Sequence, residues 1–254
     1  MPAEEPAWTP ELLDAPHDAP DKAGRIRRMF NRIAPTYELI NSVCSVGRDA
    51  VWRGKAVECA SVRNDDEVLD IACGTGDFAR AFASAGARAV VGCDFAHEML
   101  IRAAGPHRRL TAHPEACVSL WCEADALRLP FRSGSFSITS CAFGVRNFED
   151  LDAGLAQMFR VLRPGGRTVI LEFTRPRNRT ARRLYEFYSN RLMPFAATLI
   201  SHDRSGAYRY LPRSVVSFLD AGQMCTRLHG AGFGRVTATP LTMGIVTVYV
   251  ATRD

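Results

Sequence analysis

The segment "EVLDIACGTGDFARAFASAG", residues 67–86, contains the strongest indication of the fold of this chain. It starts with a short apolar run typical of a buried strand, passes through two glycines, and continues as a helical pattern that stops at Gly86. The segment "RAVVGCDF", residues 88–95, has the pattern of a second buried strand. Together the two segments predict a βαβ unit, in which the strands run parallel.

Strand and helix patterns continue to alternate after this unit. A helical pattern over residues 150–162 precedes the turn "RPGG", and another covers residues 222–231. Five further segments predict strands: "CVSLWCEAD", "SFSITSCAF", "RTVILEF", "FGRVTATPL" and "GIVTVYVAT". We therefore predict an α/β fold with a Rossmann-like, doubly wound and mostly parallel sheet of seven strands.

The composition predicts one large domain with a tail. Residues 1–22 are rich in proline and acidic residues, which predicts a flexible segment. We assign residues 23–254 to a single domain with a helical cover over 23–62 and a Rossmann-like core over 63–174. An arginine-rich helical insertion is expected over 175–213, followed by a C-terminal helix and strands over 214–254.

Charge and cysteine content exclude several classes of function. The net charge of +5 is modest for 254 residues, so we expect no nucleic-acid partner. The eight cysteines include no C-x-x-C pair, which argues against a zinc site and a disulfide scaffold, and we expect no bound metal. No uncharged apolar run approaches the roughly 20 residues that span a bilayer. These features predict a cytoplasmic protein.

The glycine turn after the first strand predicts a cofactor site. Gly74 and Gly76, with Ala79, match the loose G-x-G-x-x-G/A pattern, whose glycines let a ligand approach the backbone closely. Asp94 follows Gly74 by 20 residues at the end of the second strand. A carboxylate at that place can accept both hydroxyls of a ribose, so the pattern suits an adenosine cofactor.

Two more carboxylates discriminate between cofactors. Asp70 precedes the turn and Asp77 lies inside it, so a pyrophosphate bound there would be repelled by about 1 kcal/mol or more from each. S-adenosylmethionine has no phosphate, and its sulfonium and ammonium groups are cationic. The pattern therefore favours S-adenosylmethionine over NAD. A noncatalytic adenosine-binding module, or a turn that only packs a strand on a helix, stays open at this point.

Further cofactor contacts are expected at the ends of neighbouring strands. Asp125, at the end of the third strand, could accept from the adenine amino group, and Ala126 could donate its backbone N–H. As an isolated residue, Asp125 would more often cap a helix. We also count Phe95, next to Asp94, among the cofactor-binding residues.

Longer motifs extend this pattern from about residue 25 to residue 252. They are "FNRIAPTYELIN", "VLDIACGTGDFA", "VVGCDFAHEML", "ADALRLPF", "FGVRN", "MFRVLRPGGRTVILEF", "LYEFYSNRLMPFAATLISHDRSGAYRYL" and "GAGF…LTMGIVTVYVA". In this order they resemble the menaquinone/ubiquinone biosynthesis C-methyltransferases, a family of class I methyltransferases. Class I methyltransferases in general share only the glycine turn, the acid after the second strand and the "RPGG" turn.

The resemblance implies methyl transfer from S-adenosylmethionine to a ring carbon of a polyprenylated quinol. The family's cofactor positions carry over to Thr75, Asp94, Asp125 and Ala126. A serine of the family pattern is replaced by Ala142, which removes one polar contact to the cofactor. Demethylmenaquinol is the expected substrate, with 2-methoxy-6-polyprenyl-1,4-benzoquinol as the alternative. Outside the family, an NAD-dependent oxidoreductase is the competing class.

Four residues are candidates for the catalytic step. Arg146 and Asn147 follow the fourth strand, at the carboxyl edge of the sheet, where doubly wound folds bind their ligands. A fixed positive charge there could stabilise a quinol oxyanion, and Asn147 could orient a water or the hydroxyl. Tyr37 and His202 are proposed relays. The alternative is a structural Arg146 that pairs with Glu149 or Asp150.

The predicted insertion suggests a second partner. Between residues 175 and 213 nine arginines stand against two acidic residues, interleaved with leucines and aromatic residues. Each basic residue near an anionic surface contributes about 1 kcal/mol of attraction. We therefore expect an anionic membrane surface as a partner, with the protein peripheral to the inner face of the cell membrane. A homodimer stays open as the oligomeric state.

Overall fold

The computed structural model describes residues 8, 9, 11–105, 118–176, 178, 183 and 206–254. Its centre is one sheet of seven strands in the order β3-β2-β1-β4-β5-β7-β6. All neighbours pair in parallel except β7, which runs antiparallel to β5 and β6. The strands are β1 Glu67–Ile71, β2 Ala89–Asp94, β3 Leu120–Glu123, β4 Phe136–Ala142, β5 Leu162–Phe173, β6 Val236–Leu241 and β7 Val246–Thr252. The predicted fold class is confirmed.

Helices flank the sheet along the described chain. They are α1 Lys22–Ile33, α2 Tyr37–Cys44, α3 Arg48–Ala60, α4 Asp77–Ser84, α5 His97–Ala104, α6 Leu151–Val161, α7 Ala207–Val216 and α8 Ala221–Gly230. Short 3₁₀ turns cover Val145–Asn147 and Thr242–Gly244. None of the helices described here is long and apolar enough to cross a membrane.

Both faces of the sheet are buried, as a mostly parallel sheet requires. Along β1 the side chains alternate between the faces, so Val68 packs in one apolar cluster, whereas Leu69 and Ile71 pack in another. The continuous apolar run that predicted this strand therefore reflects two separate packing surfaces.

The sheet order fixes the place of the ligand site. β1 lies between β2 and β4. From β1 the sheet is extended in one direction by β2 and β3, and the chain then crosses back so that β4 pairs with the other edge of β1. A crevice opens at the carboxyl ends of the strands at such a switch point. The turn after β1 needs the backbone freedom of glycine, because Gly74 and Gly76 have φ values of 55° and 87°.

The "RPGG" segment differs in detail from the predicted turn before a strand. β5 already begins at Leu162, which pairs with Phe136, and the next pair joins Arg167 to Ile138. Residues 163–166 therefore bulge out of the ladder while both sides of the bulge remain in the strand, and Gly165 supplies the positive φ of 75°.

The N-terminal segment also differs from the flexible tail expected over residues 1–22. Residues 8, 9 and 11–21, here called the N-terminal strap, pack against the domain. Trp8 and Leu13 are buried in an apolar cluster with residues of α1 and α7, and the Trp8 ring stacks on Tyr210 with 4.3 Å between ring centroids. Two apolar side chains suffice because they enter a surface that other elements already form.

The predicted insertion lies largely outside the described residues. Within 175–213, only residues 175, 176, 178, 183 and 206–213 are described. The last of these belong to α7, which continues past the predicted boundary to Val216. The arginine-rich and aromatic part of the segment, including His202, is not among the residues described.

Candidate active site

Three adjoining cavities lie at the carboxyl edge of the sheet. The turn cavity, of about 20 Å³, lies at the glycine turn after β1, and the edge cavity, of about 70 Å³, lies at the ends of β2 and β3. The large cavity, of about 380 Å³, is lined by α1, α2, α3 and α7. Tyr37 lines all three cavities, while Phe143 lines the large and edge cavities. The side chain of Tyr37 therefore lies where the cavities meet.

The turn cavity contains a buried carboxylate with an unused oxygen. Asp70 is fully buried, and its Oδ1 accepts a hydrogen bond of 2.7 Å from Ser140 Oγ. Its Oδ2 is buried and has no hydrogen-bond partner among the described residues. Burial raises the pKa of Asp70 to about 7, although Ser140 and Arg53 oppose the shift. A cationic ligand group would satisfy the free oxygen and favour ionisation.

Arg53 adds a positive charge to the turn cavity. The guanidinium is nearly buried on α3 and contacts Asp49 at 2.7 Å and Asp77 at 3.8 Å. Sequence reasoning missed Arg53. A charged residue beside Trp52 and Ala56, on the buried side of a helix, was the available signal. Asp70, Asp77 and Arg53 line the turn cavity, so the cavity suits a ligand that carries both an ammonium and a carboxylate.

Asp94 shapes the edge cavity and supports the glycine turn at once. Its Oδ2 accepts from the backbone N–H of Gly74 and its Oδ1 from that of Ala96, both at 2.8 Å. Burial raises the pKa of Asp94 to about 6. Each carboxylate oxygen has a second lone pair, so the group can still accept ribose hydroxyls. The predicted Asp94 position is therefore compatible with a cofactor, but it also holds the turn.

The other predicted edge-cavity residues are brought together there. Phe95, Asp125 and Ala126 line the same cavity as Asp94. Asp125 Oδ1 accepts from the backbone N–H of Leu127 at 2.9 Å, which fixes the direction of the carboxylate. One end of the cavity is thus polar and suits the amino group and ring nitrogens of an adenine.

The predicted residues of the turn and of β4 divide between contact and packing. Gly74 and Ala142 line both the turn and edge cavities, and Thr75 lines the turn cavity. Gly76 lines none of the three cavities. A Cβ on Gly76 would instead lie 2.3 Å from the Trp121 ring, so this glycine is needed for close packing.

Arg146 forms a buried ion pair that differs from the predicted structural alternative. Its Nη1 donates to Glu172 Oε1 and to the Phe143 carbonyl, each at 2.6 Å, and the side chain is only 3% exposed. The suggested pairing with Glu149 or Asp150 is wrong, because Glu172 is the ion-pair partner of Arg146. Asp150 instead caps α6 by accepting from the Ala153 N–H. The 3₁₀ turn directs Arg146 towards the end of β5, where Glu172 lies buried.

Arg146 still lines the large cavity, and one of its donors has no partner. The Nε–H group is buried without a hydrogen-bond acceptor among the described residues. A buried donor of this kind is costly unless a ligand or water completes it. Burial also raises the pKa of Tyr37, which lines the same cavity.

Asn147 lines the edge cavity and not the large cavity that Arg146 lines. Its Oδ1 accepts a hydrogen bond of 2.9 Å from the Tyr210 hydroxyl, and its Nδ2 donates to the Phe143 carbonyl at 3.4 Å. Three of the four predicted catalytic residues, Tyr37, Arg146 and Asn147, therefore surround the junction of the cavities. The fourth, His202, lies outside the described residues. Sequence reasoning did not identify Glu172 and Tyr210.

The walls of the large cavity are mostly aromatic and aliphatic. Phe143 and Phe173 lie 4.5 Å apart between ring centroids, and Trp52 meets both edge-on. Trp52 also donates its Nε1–H to Thr242 Oγ1 at 2.8 Å, which ties α3 to the 3₁₀ turn Thr242–Gly244. The cavity can hold a flat apolar ring, and Arg146, Tyr37 and Arg53 are among the polar groups that line it.

A family model described as the ubiE/COQ5 methyltransferase family matches residues 19–253. This chain belongs to that family. A demethylmenaquinone methyltransferase of Deinococcus radiodurans is 39% identical over 92% of this chain and 94% of its own, and one of Thermus thermophilus is 41% identical over 89% and 100%. The ubiquinone/menaquinone biosynthesis C-methyltransferase of Geobacter sulfurreducens is 39% identical over 90% of this chain and 88% of its own.

Solved structures agree with the fold of a ubiE/COQ5-family methyltransferase. A proposed S-adenosyl-L-methionine-dependent methyltransferase of Methanococcus maripaludis superimposes with a TM-score of 0.63 at 13% identity, over 88% of this chain and 93% of that one. A methyltransferase structure from Thermotoga maritima gives 0.60 at 17% identity, over 89% and 99%. The Rossmann-like methyltransferase fold is thus shared at low sequence identity.

Proposed function

We propose that this ubiE/COQ5-family methyltransferase transfers the methyl group of S-adenosylmethionine to a ring carbon of a polyprenylated quinol, with demethylmenaquinol as the substrate. The observation that carries the proposal is the meeting of the three cavities at Tyr37. The turn cavity is charged, and the edge cavity adds Asp94 and Asp125 to a mostly apolar wall, which matches the cofactor. The large cavity has mostly apolar walls and matches the ring. The arrangement suits a direct transfer between two ligands.

The residues of the two smaller cavities fit S-adenosylmethionine. The unpartnered Oδ2 of Asp70 can accept from the ammonium of its amino-acid end, and Arg53 can hold the carboxylate. Asp94 can accept from the ribose hydroxyls, and Asp125 from the adenine amino group. When bound, the cofactor supplies an electrophilic methyl group. A dinucleotide would instead bring a pyrophosphate against two carboxylates, as the sequence already indicated.

Arg146 is the residue proposed to activate the quinol. A phenol with a pKa near 10 is only about one part in a thousand ionised at neutral pH, yet its oxyanion makes the neighbouring ring carbon nucleophilic. Arg146 is always protonated and cannot itself act as a base. Its unpartnered Nε–H can donate to the ring oxygen or to a water that takes the proton. Because Glu172 neutralises the guanidinium, we infer that Arg146 acts mainly as an oriented donor.

Two observations support the naphthoquinol over the benzoquinol substrate. The relatives of Deinococcus and Thermus are named for demethylmenaquinone, and the tilted pair Phe143 and Phe173, whose planes form an angle of 31°, offers a broad aromatic wall to a fused ring. The test is an assay of the purified protein with S-adenosylmethionine and each quinol, kept reduced. We expect faster methylation of demethylmenaquinol. Methylation of the benzoquinol alone would reverse the assignment, and turnover of neither quinol would refute the function.

The proposal includes peripheral membrane association at the mouth of the large cavity. Val46 and Met243 are 79% and 72% exposed, and Val46 lines that cavity together with Thr242, the neighbour of Met243. Leu39 and Val43 on α2 are exposed as well. Polyprenyl tails reside in the bilayer, so an apolar rim at this mouth would let a tail remain in lipid while the ring enters the protein. The predicted arginine-rich insertion would add attraction to anionic lipids.

A further inference from the structure

The N-terminal strap contacts α7 at several points. The side chain of Trp8 is 2% exposed and stacks on Tyr210 with an interplanar angle of 27°. Gly206, the residue before α7, has a φ of 83°, and a Cβ there would lie 2.7 Å from the Trp8 carbonyl oxygen. Nε2 of His17 forms a hydrogen bond of 3.0 Å with the Ser214 carbonyl further along the helix. The strap thus covers α7 from its first residue to its last turn.

The strap also ends close to the 3₁₀ turn Val145–Asn147. Its last residue precedes Lys22, whose Nζ donates to the Phe148 carbonyl at 2.5 Å. Lys22 is nearly buried, and burial lowers its pKa to about 8. Most of the strap precedes residue 19, where the match to the family model starts. The match to the family model therefore does not include Trp8 or its contacts with α7.

Tyr210 connects the strap to the site. The residue is 1% exposed, its ring stacks on Trp8, and its hydroxyl donates to Asn147 Oδ1 at 2.9 Å. Tyr210 also lines the large cavity. The Tyr210 hydroxyl thus orients the Asn147 amide, and the Trp8 indole packs on the Tyr210 ring.

We propose that Trp8 is a positioning residue: it holds Tyr210 in the orientation that fixes the Asn147 amide, so the N-terminal strap is a working part of the active-site wall. The inference rests on the proposed function in so far as Asn147 serves the reaction. It assigns to the strap a role that its proline-rich composition does not suggest.

A purely stabilising Trp8 would behave differently from a positioning Trp8. The Trp8 Nε1–H is buried without a partner among the described residues, so its hydrogen bonding contributes nothing. Trp8→Phe keeps an aromatic ring against Tyr210, while it removes the unsatisfied donor and part of the buried ring volume. Leu13→Ala removes apolar burial from the same cluster without touching the stacked pair. These two variants are the matched controls.

The experiment compares Trp8→Ala, Tyr210→Phe and their double variant with the two controls. We expect Trp8→Ala and Tyr210→Phe each to lower kcat roughly three- to tenfold, the range for one neutral hydrogen bond, with an unchanged affinity for S-adenosylmethionine. Because Trp8 acts through Tyr210, the double variant should be no slower than Tyr210→Phe alone. Trp8→Phe and Leu13→Ala should stay within about twofold of the unaltered protein.

A readout that is independent of activity separates this inference from the proposed function. The side-chain amide signals of Asn147, assigned in ¹⁵N-asparagine-labelled protein by their loss in Asn147→Asp, should shift in Trp8→Ala and Tyr210→Phe but stay in place in Leu13→Ala. If Trp8→Ala does not fold, Trp8→Leu, which keeps the burial but not the stacking, replaces it. Unmoved Asn147 signals would overturn the inference whether or not the quinol assay shows turnover. Where turnover is measured, losses of kcat that multiply fully in the double variant would overturn it as well.

Discussion

Removing the charge of Arg146 is the most direct test of the proposed activation. A single Arg146→Ala change would leave Glu172 buried and unpaired beside the Phe173 N–H, with which it also forms a 2.8 Å hydrogen bond. Breaking a buried ion pair on one side costs about 3–5 kcal/mol. Burial already raises the pKa of Glu172, and loss of the opposing Arg146 would raise it further. The single variant would thus confuse catalysis with folding.

The double variant Arg146→Gln with Glu172→Gln avoids this difficulty. It removes both charges together and keeps a hydrogen-bonding amide at each position, of the same length as Glu172 and shorter than Arg146. The buried pair that it replaces has a net contribution to stability close to zero. The free energy of unfolding should therefore change by only about 1–2 kcal/mol. Turnover should fall by about 10²–10³, the effect of losing one donor to a developing oxyanion.

The assay measures kcat at saturating quinol together with calorimetric binding of S-adenosylmethionine. Cofactor affinity should stay unchanged, because Asp70 and Asp94 lie in cavities that Arg146 does not line. Glu172→Asp, which keeps the charge on a shorter side chain, is the control for orientation and should lose less turnover than the double variant. A folded double variant with near-normal kcat would show that the pair is structural.

Three further outcomes are expected. Asp94→Asn should weaken S-adenosylmethionine binding by roughly 1.5–3 kcal/mol and lower the thermal midpoint, because the variant loses a charged acceptor for the ribose and for the glycine turn. Unchanged affinity in calorimetry would contradict the placement of the ribose at Asp94. The pKa of Asp70 is raised from 3.8 to about 7, so the stability that Asp70 contributes to the ligand-free protein should be lost as pH rises through that range, while the affinity for the cofactor increases. Both trends should vanish in Asp70→Asn. Equal pH profiles of the variant and the unaltered protein would refute the assignment. Val46→Asn with Met243→Gln should reduce co-sedimentation with anionic liposomes, because it removes exposed apolar side chains. The stability of the protein should not change, since asparagine suits the φ of 53° at residue 46. Undiminished binding to the liposomes would reject the apolar rim.

The fold was predictable because its signals are local. The apolar run of β1, the glycines of the turn and the helical period of α4 lie within residues 67–86, and each fixes its own element. The same holds for Asp94 and Asp125, whose places at strand ends follow once the strands are known. The sequence therefore predicted the positions of Asp94 and Asp125 at the strand ends, and both line the edge cavity in the structure, while their role in binding a cofactor stays a prediction.

The residues that were missed act across long separations. Glu172 is 26 residues from Arg146, and Tyr210 is 63 residues from Asn147. Nothing local marks Glu172 as the partner, since Asp150 is nearer along the chain and has the same charge. Trp8 was missed for a related reason: the composition of residues 1–22 describes an average, whereas packing needs only one or two side chains at the right place.

The charges of the site explain why two buried arginines can serve different ligands. Arg53 lines both the turn cavity and the large cavity and is balanced by Asp49 and Asp77, whereas Arg146 lines only the large cavity of the three and is balanced by Glu172. An unpaired cation in an apolar cavity would bind an ionised quinol tightly before reaction, and tight ground-state binding does not accelerate a chemical step. A paired guanidinium with one oriented donor left over interacts most strongly where negative charge develops on the ring oxygen. The Glu172 partner therefore limits ground-state binding and directs the stabilisation by Arg146 towards the transition state.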